Sequence, residues 1–67
     1  MTTVAKSQSF TLARDWMGHY VLTRASDGKS LYFQGGDAVE VESEVEAPGF
    51  DLDTWASDYD ACIETWD

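Results

Sequence analysis

Carboxylates are the residues of this chain that could do chemistry, and they are concentrated in its second half. Residues 35–67 hold eleven of the thirteen Asp and Glu residues and no Lys or Arg, whereas all four basic residues lie at or before Lys29. The net charge is therefore +2 over residues 1–34 and −11 over residues 35–67, which gives −9 for the chain. A block of one sign opposes compaction by self-repulsion, so it indicates a function that needs negative charge.

The spacing of these carboxylates predicts two rows. Val and Glu alternate over residues 38–47, which is the period of a β-strand and would place each Glu on one face. The acidic residues after Pro48 share the polar face of a predicted helix. The first row would hold Glu40, Glu42, Glu44 and Glu46, and the second Asp53, Asp58, Asp60, Glu64 and Asp67, with Asp37 and Asp51 peripheral. Regularly spaced anions on a rigid framework are what DNA presents to the Lys and Arg residues of a protein, so the rows indicate DNA mimicry.

Metal binding and catalysis have little support in the same residues. Asp51 and Asp53 match the first two ligands of a calcium-binding EF-hand loop. The pattern next needs an acidic residue or Asn and then a Gly, and this chain has Trp55 and Ala56 at those positions. Zinc is disfavoured because His19 is the only His and the chain has one Cys. That Cys belongs to an apolar stripe and is expected in the core. We therefore expect a non-catalytic protein without metal or cofactor.

The elements that would position the rows begin with a β-meander. Residues 19–24 and 29–34 are rich in aromatic and β-branched residues and flank Asp27-Gly28, which is a strong hairpin signal. A turn at residues 35–37 then leads to the predicted strand 38–47. Residues 9–16 fit a further strand less clearly. Three to four antiparallel strands are expected.

A C-terminal helix is predicted after Pro48-Gly49, with Asp51 as its N-cap. Its apolar residues recur at helical spacing and are Leu52, Trp55, Tyr59, Cys62, Ile63 and Trp66. With Val39 and Val41 of the predicted sheet, this stripe should form the core. The expected fold is a single α+β domain of residues 1–67, with a small antiparallel sheet over about 9–47 packed against one helix over about 51–66.

The compartment and the class of partner follow from composition. One Cys excludes an internal disulfide, and no apolar run approaches the length of a signal peptide or a membrane span. A protein of the reducing cytoplasm is therefore expected. Negative charge disfavours anionic membranes and nucleic acid as direct ligands, and −9 on so small a chain favours a monomer.

In size, charge and α+β pattern the whole chain resembles the phage-encoded anti-CRISPR proteins that act as double-stranded DNA mimics. These families share no diagnostic motif, so the resemblance is one of profile. It implies a stoichiometric inhibitor that binds the basic DNA-binding surface of a CRISPR effector subunit and excludes target DNA. A type I surveillance complex is the preferred target, and a DNA mimic directed at a restriction enzyme or a glycosylase fits the same charge pattern.

A second hypothesis is an acidic adaptor that holds a protein partner through exposed aromatics such as Trp16, Tyr20 or Trp55. In that case the charge would serve solubility. Salt separates the two hypotheses, because attraction between exposed charges is screened within about 10 Å at 0.1 M salt whereas apolar contacts are not.

Overall fold

The first half of the chain forms a four-stranded antiparallel sheet. A computed structural model describes the backbone of residues 1–65 and the side chains of residues 1–63. The strands are β1 (Thr2–Lys6), β2 (Phe10–Arg14), β3 (Tyr20–Arg24) and β4 (Ser30–Phe33). Each strand pairs with the next along the chain, so an antiparallel meander is confirmed for the strands predicted over residues 9–16, 19–24 and 29–34, with β1 as a strand that the sequence pattern did not predict.

The hairpin between β3 and β4 forms where Asp27-Gly28 predicts it. The N–H of Arg24 donates to the carbonyl of Lys29, and the N–H of Gly28 donates to the carbonyl of Arg24, both at 2.8 Å. Gly28 has a φ of 73°, a conformation that costs Gly little and other residues more. The turn is further fixed by the Asp27 carboxylate, which accepts a hydrogen bond from the N–H of Lys29.

The segment predicted as a third strand is a helix, α1 (Gly36–Val45), so the strand over residues 38–47 is wrong. The same residues also carry a helical pattern, because Ala38, Val41 and Val45 are spaced by three and four and all three pack on the core. Glu favours helices and is depleted in strands, which tips the balance further. Gly35, with a φ of 59°, turns the chain from β4 into this helix.

The predicted C-terminal helix is interrupted and forms α2 (Leu52–Ser57) and α3 (Asp60–Thr65). Asp51 is the N-cap of α2, as predicted. At the break, the N–H groups of Asp58 and Tyr59 bond the carbonyls three residues before them. The fold is thus α+β with three short helices in place of one long one. None of the described helices has the length and apolar character needed to cross a membrane.

The core lies between one face of the sheet and the three helices. Its buried members are Phe10, Leu12, Tyr20, Leu22, Leu31, Phe33, Ala38, Val41, Leu52, Ala56 and Ile63. The prediction is confirmed for Val41, Leu52 and Ile63, while Trp55 and Tyr59 are half-buried against the core. It is wrong for Val39 and Cys62, which are exposed, and Trp66 lies outside the described residues.

The other face of the sheet, here called the open face, carries no described helix. Strand register places two rows of side chains on it, because residues paired across antiparallel strands point to the same side. These rows are Thr3, Ala13, Val21 and Tyr32, and Lys6, Thr11, Thr23 and Ser30. Neither row contains a carboxylate. The acidic second half of the chain therefore packs on the side opposite this face.

Candidate functional site

The carboxylates of α1 lie on two flanks of a helix. Successive residues of an α-helix turn by about 100°, so residues two apart point in nearly opposite directions. The single row of Glu40, Glu42, Glu44 and Glu46 predicted from a strand is therefore wrong. The inner flank holds Asp37, Glu40 and Glu44, spaced by three and four, and the outer flank holds Glu42 and Glu46, spaced by four.

The inner flank faces Tyr59, which follows α2. Burial raises the pKa of the Tyr59 hydroxyl, and the negative charges of Glu44, Glu40, Asp58 and Asp37 raise it further. These four carboxylates from two parts of the chain thus share one neighbourhood and are here called the Tyr59 acidic cluster. A cavity of about 130 Å³ is lined in part by Asp37, Glu40 and Tyr59.

Aromatic packing supports the Tyr59 acidic cluster from below. The ring of Tyr59 meets Phe33 edge-on with 5.3 Å between centroids, and it lies 4.9 Å from the Trp55 ring. Phe50 contacts Trp55 from the other side at 5.9 Å. The Trp55 indole N–H also donates a hydrogen bond to the Glu44 carboxylate. The cluster is therefore held by contacts that join β4, α1 and α2, which limits its freedom to rearrange.

The outer flank of α1 is partly neutralised by the sheet. Arg14 at the end of β2 places its guanidinium 3.9 Å from the Glu42 carboxylate. Burial raises the pKa of Tyr20, the Glu42 charge adds to that rise, and Arg14 opposes it. Tyr20 is only 3 % exposed, so its predicted role as an exposed anchor is wrong.

The predicted second row is divided by the helix break, and two of its described members, Asp53 and Asp60, make contacts within the fold. Asp60 pairs with Arg24 at 2.7 Å, and Asp53 accepts a hydrogen bond from the Ser7 hydroxyl. Asp51, placed at the periphery, accepts one from Thr54. The side chain of Glu64 and the whole of Asp67 lie outside the described residues.

Arg24 is the centre of the main ion-pair network of the described chain. It is 8 % exposed and binds the Asp27 carboxylate through two nitrogens as well as Asp60 through a third. The hydrogen bond from Arg24 is the main reason that the pKa of Asp27 falls to about 2, with the Lys29 N–H as the next cause. A cavity of about 580 Å³ opens beside Arg24, but Asp60 also lines it, which disfavours an anionic ligand there.

One predicted aromatic, Trp16, and two residues that the sequence analysis did not place at the surface form the exposed apolar side chains near α1 and the β2–β3 turn. Trp16 is 91 % exposed in the turn between β2 and β3, whereas Trp55 is half-buried over the core. Met17 and Val39, which the sequence did not single out as surface residues, are 60 % and 70 % exposed. Both line one groove between that turn and α1. Met17 and Val39 line the same groove because α1 is a helix. The strand predicted for these residues therefore gave no indication of this groove.

Comparison with known proteins gives no relative. No family model matches the chain, and neither a curated protein nor a solved structure shows significant similarity to it. Among the described residues, no group of three His, Cys, Asp or Glu side chains is placed to hold a metal ion. Asp37, Glu40 and Asp58 are exposed anions beside a packed aromatic group, and such anions attract cations.

Proposed function

We propose that this protein is a non-catalytic inhibitor that mimics double-stranded DNA and occupies the basic DNA-binding surface of a CRISPR effector. The observation that supports the proposal is the Tyr59 acidic cluster, in which Asp37, Glu40, Glu44 and Asp58 gather around one half-buried ring. The preferred target, a type I surveillance complex, comes from the resemblance in size, charge and fold pattern. The protein is expected to act as a monomer in the bacterial cytoplasm.

The carboxylates of the Tyr59 acidic cluster are spaced in a way that suits a protein surface that binds DNA phosphates. Along α1, Asp37 and Glu40 are separated by a rise of about 4.5 Å, and Glu40 and Glu44 by about 6 Å, at about 1.5 Å per residue. Phosphates along one strand of B-DNA rise by about 3.4 Å each, so these carboxylates span one to two phosphate steps. Asp58 adds an anion from a second element, as the opposite strand does in a duplex.

Three carboxylates of the Tyr59 acidic cluster are free to contact a partner, which supports the same proposal. The side chains of Asp37, Glu40 and Asp58 are exposed and take part in no ion pair or side-chain hydrogen bond with the described residues. Asp27, Asp53 and Asp60 are instead engaged by Arg24 or Ser7. Lys and Arg residues of a partner would therefore meet the first group without breaking contacts within the fold.

A competition assay tests the proposal. Purified type I surveillance complex is bound to a labelled target duplex and titrated with this protein at about 50 and 500 mM salt, a range over which exposed charge attraction is strongly screened. The expected result is stoichiometric loss of DNA binding at low salt that weakens at high salt. The near-isosteric variant Asp37→Asn/Glu40→Gln/Asp58→Asn should inhibit less well. Undisturbed DNA binding at a large excess of protein would contradict the choice of target.

A second candidate function is the acidic adaptor, which the exposure of Trp16 favours. An adaptor anchored by this ring would bind its partner with nearly the same affinity at both salt concentrations and would not compete with DNA. The same assay run with a restriction enzyme or a uracil-DNA glycosylase distinguishes a DNA mimic with another target from an adaptor.

A further inference from the structure

The break between α2 and α3 lies between two cavities. On one side, Ser57 and Asp60 line the cavity of about 580 Å³ beside Arg24. On the other side, Tyr59 lines the cavity of about 130 Å³ together with two acidic residues of α1. The short segment of residues 57–60 therefore joins the ion pairs of Arg24 to the Tyr59 acidic cluster.

Arg24 holds this segment with a guanidinium that is itself fixed from a second direction. Its Nη1 donates to the Asp60 carboxylate at 2.7 Å, while its Nε and Nη2 donate to the two oxygens of Asp27 at 3.2 and 2.6 Å. Arg24 is 8 % exposed, and the planar guanidinium presents its donors in a rigid fork. The start of α3 is thus tied to the β3–β4 hairpin, in which Asp27 also accepts the N–H of Lys29.

Asp58 is the member of the Tyr59 acidic cluster that most needs such a tether. Its backbone N–H lies 3.3 Å from the carbonyl of Trp55, which is longer than the usual value of about 2.9–3.0 Å. Its side chain is exposed and shares the neighbourhood of Tyr59 with Glu44 and Glu40. Repulsion among these carboxylates favours movement of Asp58 away from α1. The attraction between Arg24 and the residue two positions further on opposes that movement.

We propose that Arg24 is a positioning residue for the Tyr59 acidic cluster and that it acts through Asp60. The ion pair holds the break between α2 and α3 in the geometry that keeps Asp58 and Tyr59 beside the carboxylates of α1. The inference rests on the proposed function for what the cluster binds, whereas the coupling of Arg24 to the cluster is a property of the fold. A buried base from the first half of the chain thus sets the shape of an acidic surface in the second half.

Removal of Arg24 distinguishes positioning from charge, because the two effects have opposite signs. Arg24→Met makes the net charge one unit more negative than −9, so charge alone would strengthen binding to a basic surface. A positioning role predicts the reverse, a loss of about fivefold in the DNA competition assay at low salt, which is the upper end for one exposed charge pair. Lys6→Met removes an exposed base from the open face and reaches the same net charge. It is the matched control and should inhibit at least as well as the wild type.

Three further variants separate positioning from a general loss of stability. Val21→Ala, on the open face, also destabilises the fold but leaves the ion pairs intact, so it should inhibit like the wild type. Asp60→Ala leaves the contacts between Arg24 and Asp27 in place and should lose about as much inhibition as Arg24→Met. Arg24→Lys keeps the charge without the fork and should fall between the wild type and Arg24→Met.

Nuclear magnetic resonance tests the coupling without any binding partner. The Trp55 indole N–H donates to Glu44, and the Trp55 ring lies 4.9 Å from the Tyr59 ring. In ¹⁵N-labelled Arg24→Met and Asp60→Ala, the Trp55 indole signal should move in the same direction, while the signal of the exposed Trp16 indole should stay. A purely local role of Arg24 would move only the signals of the β3–β4 hairpin and of residue 60.

Two results would overturn the positioning role. One is an unchanged Trp55 indole signal in both variants, and the other is inhibition by Arg24→Met that equals or exceeds that by Lys6→Met. The second result, obtained with a wild type that displaces DNA, would leave DNA mimicry intact. If the wild type itself displaces no DNA, the proposed target fails and the Trp55 indole signal still decides the positioning role.

Discussion

The two faces of the sheet differ in charge as sharply as the two halves of the sequence. The open face carries Lys6 as the charged member of its two rows and no carboxylate. The opposite face is covered by α1, α2 and α3, which hold the acidic half of the chain. A meander followed by helices that all pack on one side thus converts a charge asymmetry along the sequence into an asymmetry between two surfaces.

A second difference lies within the helical side. Asp27 and Asp60 neutralise Arg24, and Glu42 faces Arg14, so the basic groups nearest the helices are already engaged. The Tyr59 acidic cluster keeps Asp37, Glu40 and Asp58 exposed. The fold therefore uses some carboxylates as structural contacts and leaves others exposed, and the two groups should respond differently to mutation.

The largest expected effect on stability compares neighbouring residues on the two faces of β3. Leu22 is fully buried beneath the helices, whereas Val21 lies on the open face. Leu22→Ala should lower the free energy of unfolding by about 3 kcal/mol, because it removes packing and leaves a cavity. Val21→Ala should cost about 1–2 kcal/mol, near the transfer value of two methylene groups. Urea unfolding followed by circular dichroism measures both losses of unfolding free energy. Equal losses would indicate that Val21 is packed as tightly as Leu22 and would contradict an open face.

Charge reversal of the Tyr59 acidic cluster should have the next largest effect, on binding. Asp37→Lys/Glu40→Lys/Asp58→Lys is expected to weaken inhibition more than a hundredfold at 50 mM salt, since like charges placed against a basic surface cost several kcal/mol. Each single Ala substitution should cost only a few-fold. Inhibition curves for the three single variants and the triple variant measure this, and one single substitution that alone loses a hundredfold would argue against an extended mimic.

Removal of the buried guanidinium should have a smaller effect on stability. Arg24→Met keeps most of the side-chain volume but leaves Asp27 and Asp60 without their shared partner. Because both carboxylates remain in contact with water, the expected loss is about 1–3 kcal/mol, less than for a fully buried pair. Chemical denaturation checks the value. Lys6→Met, which removes an exposed base from the open face, is the control and should be close to neutral.

The smallest effect is a pH dependence from Asp27. The pKa of this carboxyl is lowered from 3.8 to about 2 in the folded protein, so its contribution to stability is complete above about pH 4 and is lost as the pH falls towards 2. The stability difference between the wild type and Asp27→Asn should therefore be constant from pH 5 to 8 and should shrink below pH 4. A difference that grows on acidification would contradict the Arg24 pairing.

The sheet was largely predictable because its signals are local. Asp27-Gly28 fixes the β3–β4 hairpin through one residue with positive φ, and the flanking strands alternate between the core and the open face. Strand β1 was missed because Thr2–Lys6 is exposed along most of its length, so it lacks the apolar alternation that marks a half-buried strand.

The acidic site was predictable in composition but not in geometry. Val39, Val41 and Val45 fit a period of two, while Ala38, Val41 and Val45 fit a helix, and only packing against the sheet decides between the two patterns. The Tyr59 acidic cluster also depends on the break after Ser57, which positions Tyr59 against Phe33. A break of this kind has no Pro or Gly to mark it in the sequence.

The most direct test of the account compares two variants with the same net charge of about −6. One neutralises the Tyr59 acidic cluster as Asp37→Asn/Glu40→Gln/Asp58→Asn, and the other adds three charges to the open face as Thr3→Lys/Thr23→Lys/Tyr32→Lys. Both are titrated into surveillance complex bound to target duplex at 50 mM salt. The account predicts that the first variant loses at least tenfold in inhibition while the second stays within about twofold of the wild type. Equal losses would show that net charge alone drives binding and would contradict an ordered DNA mimic.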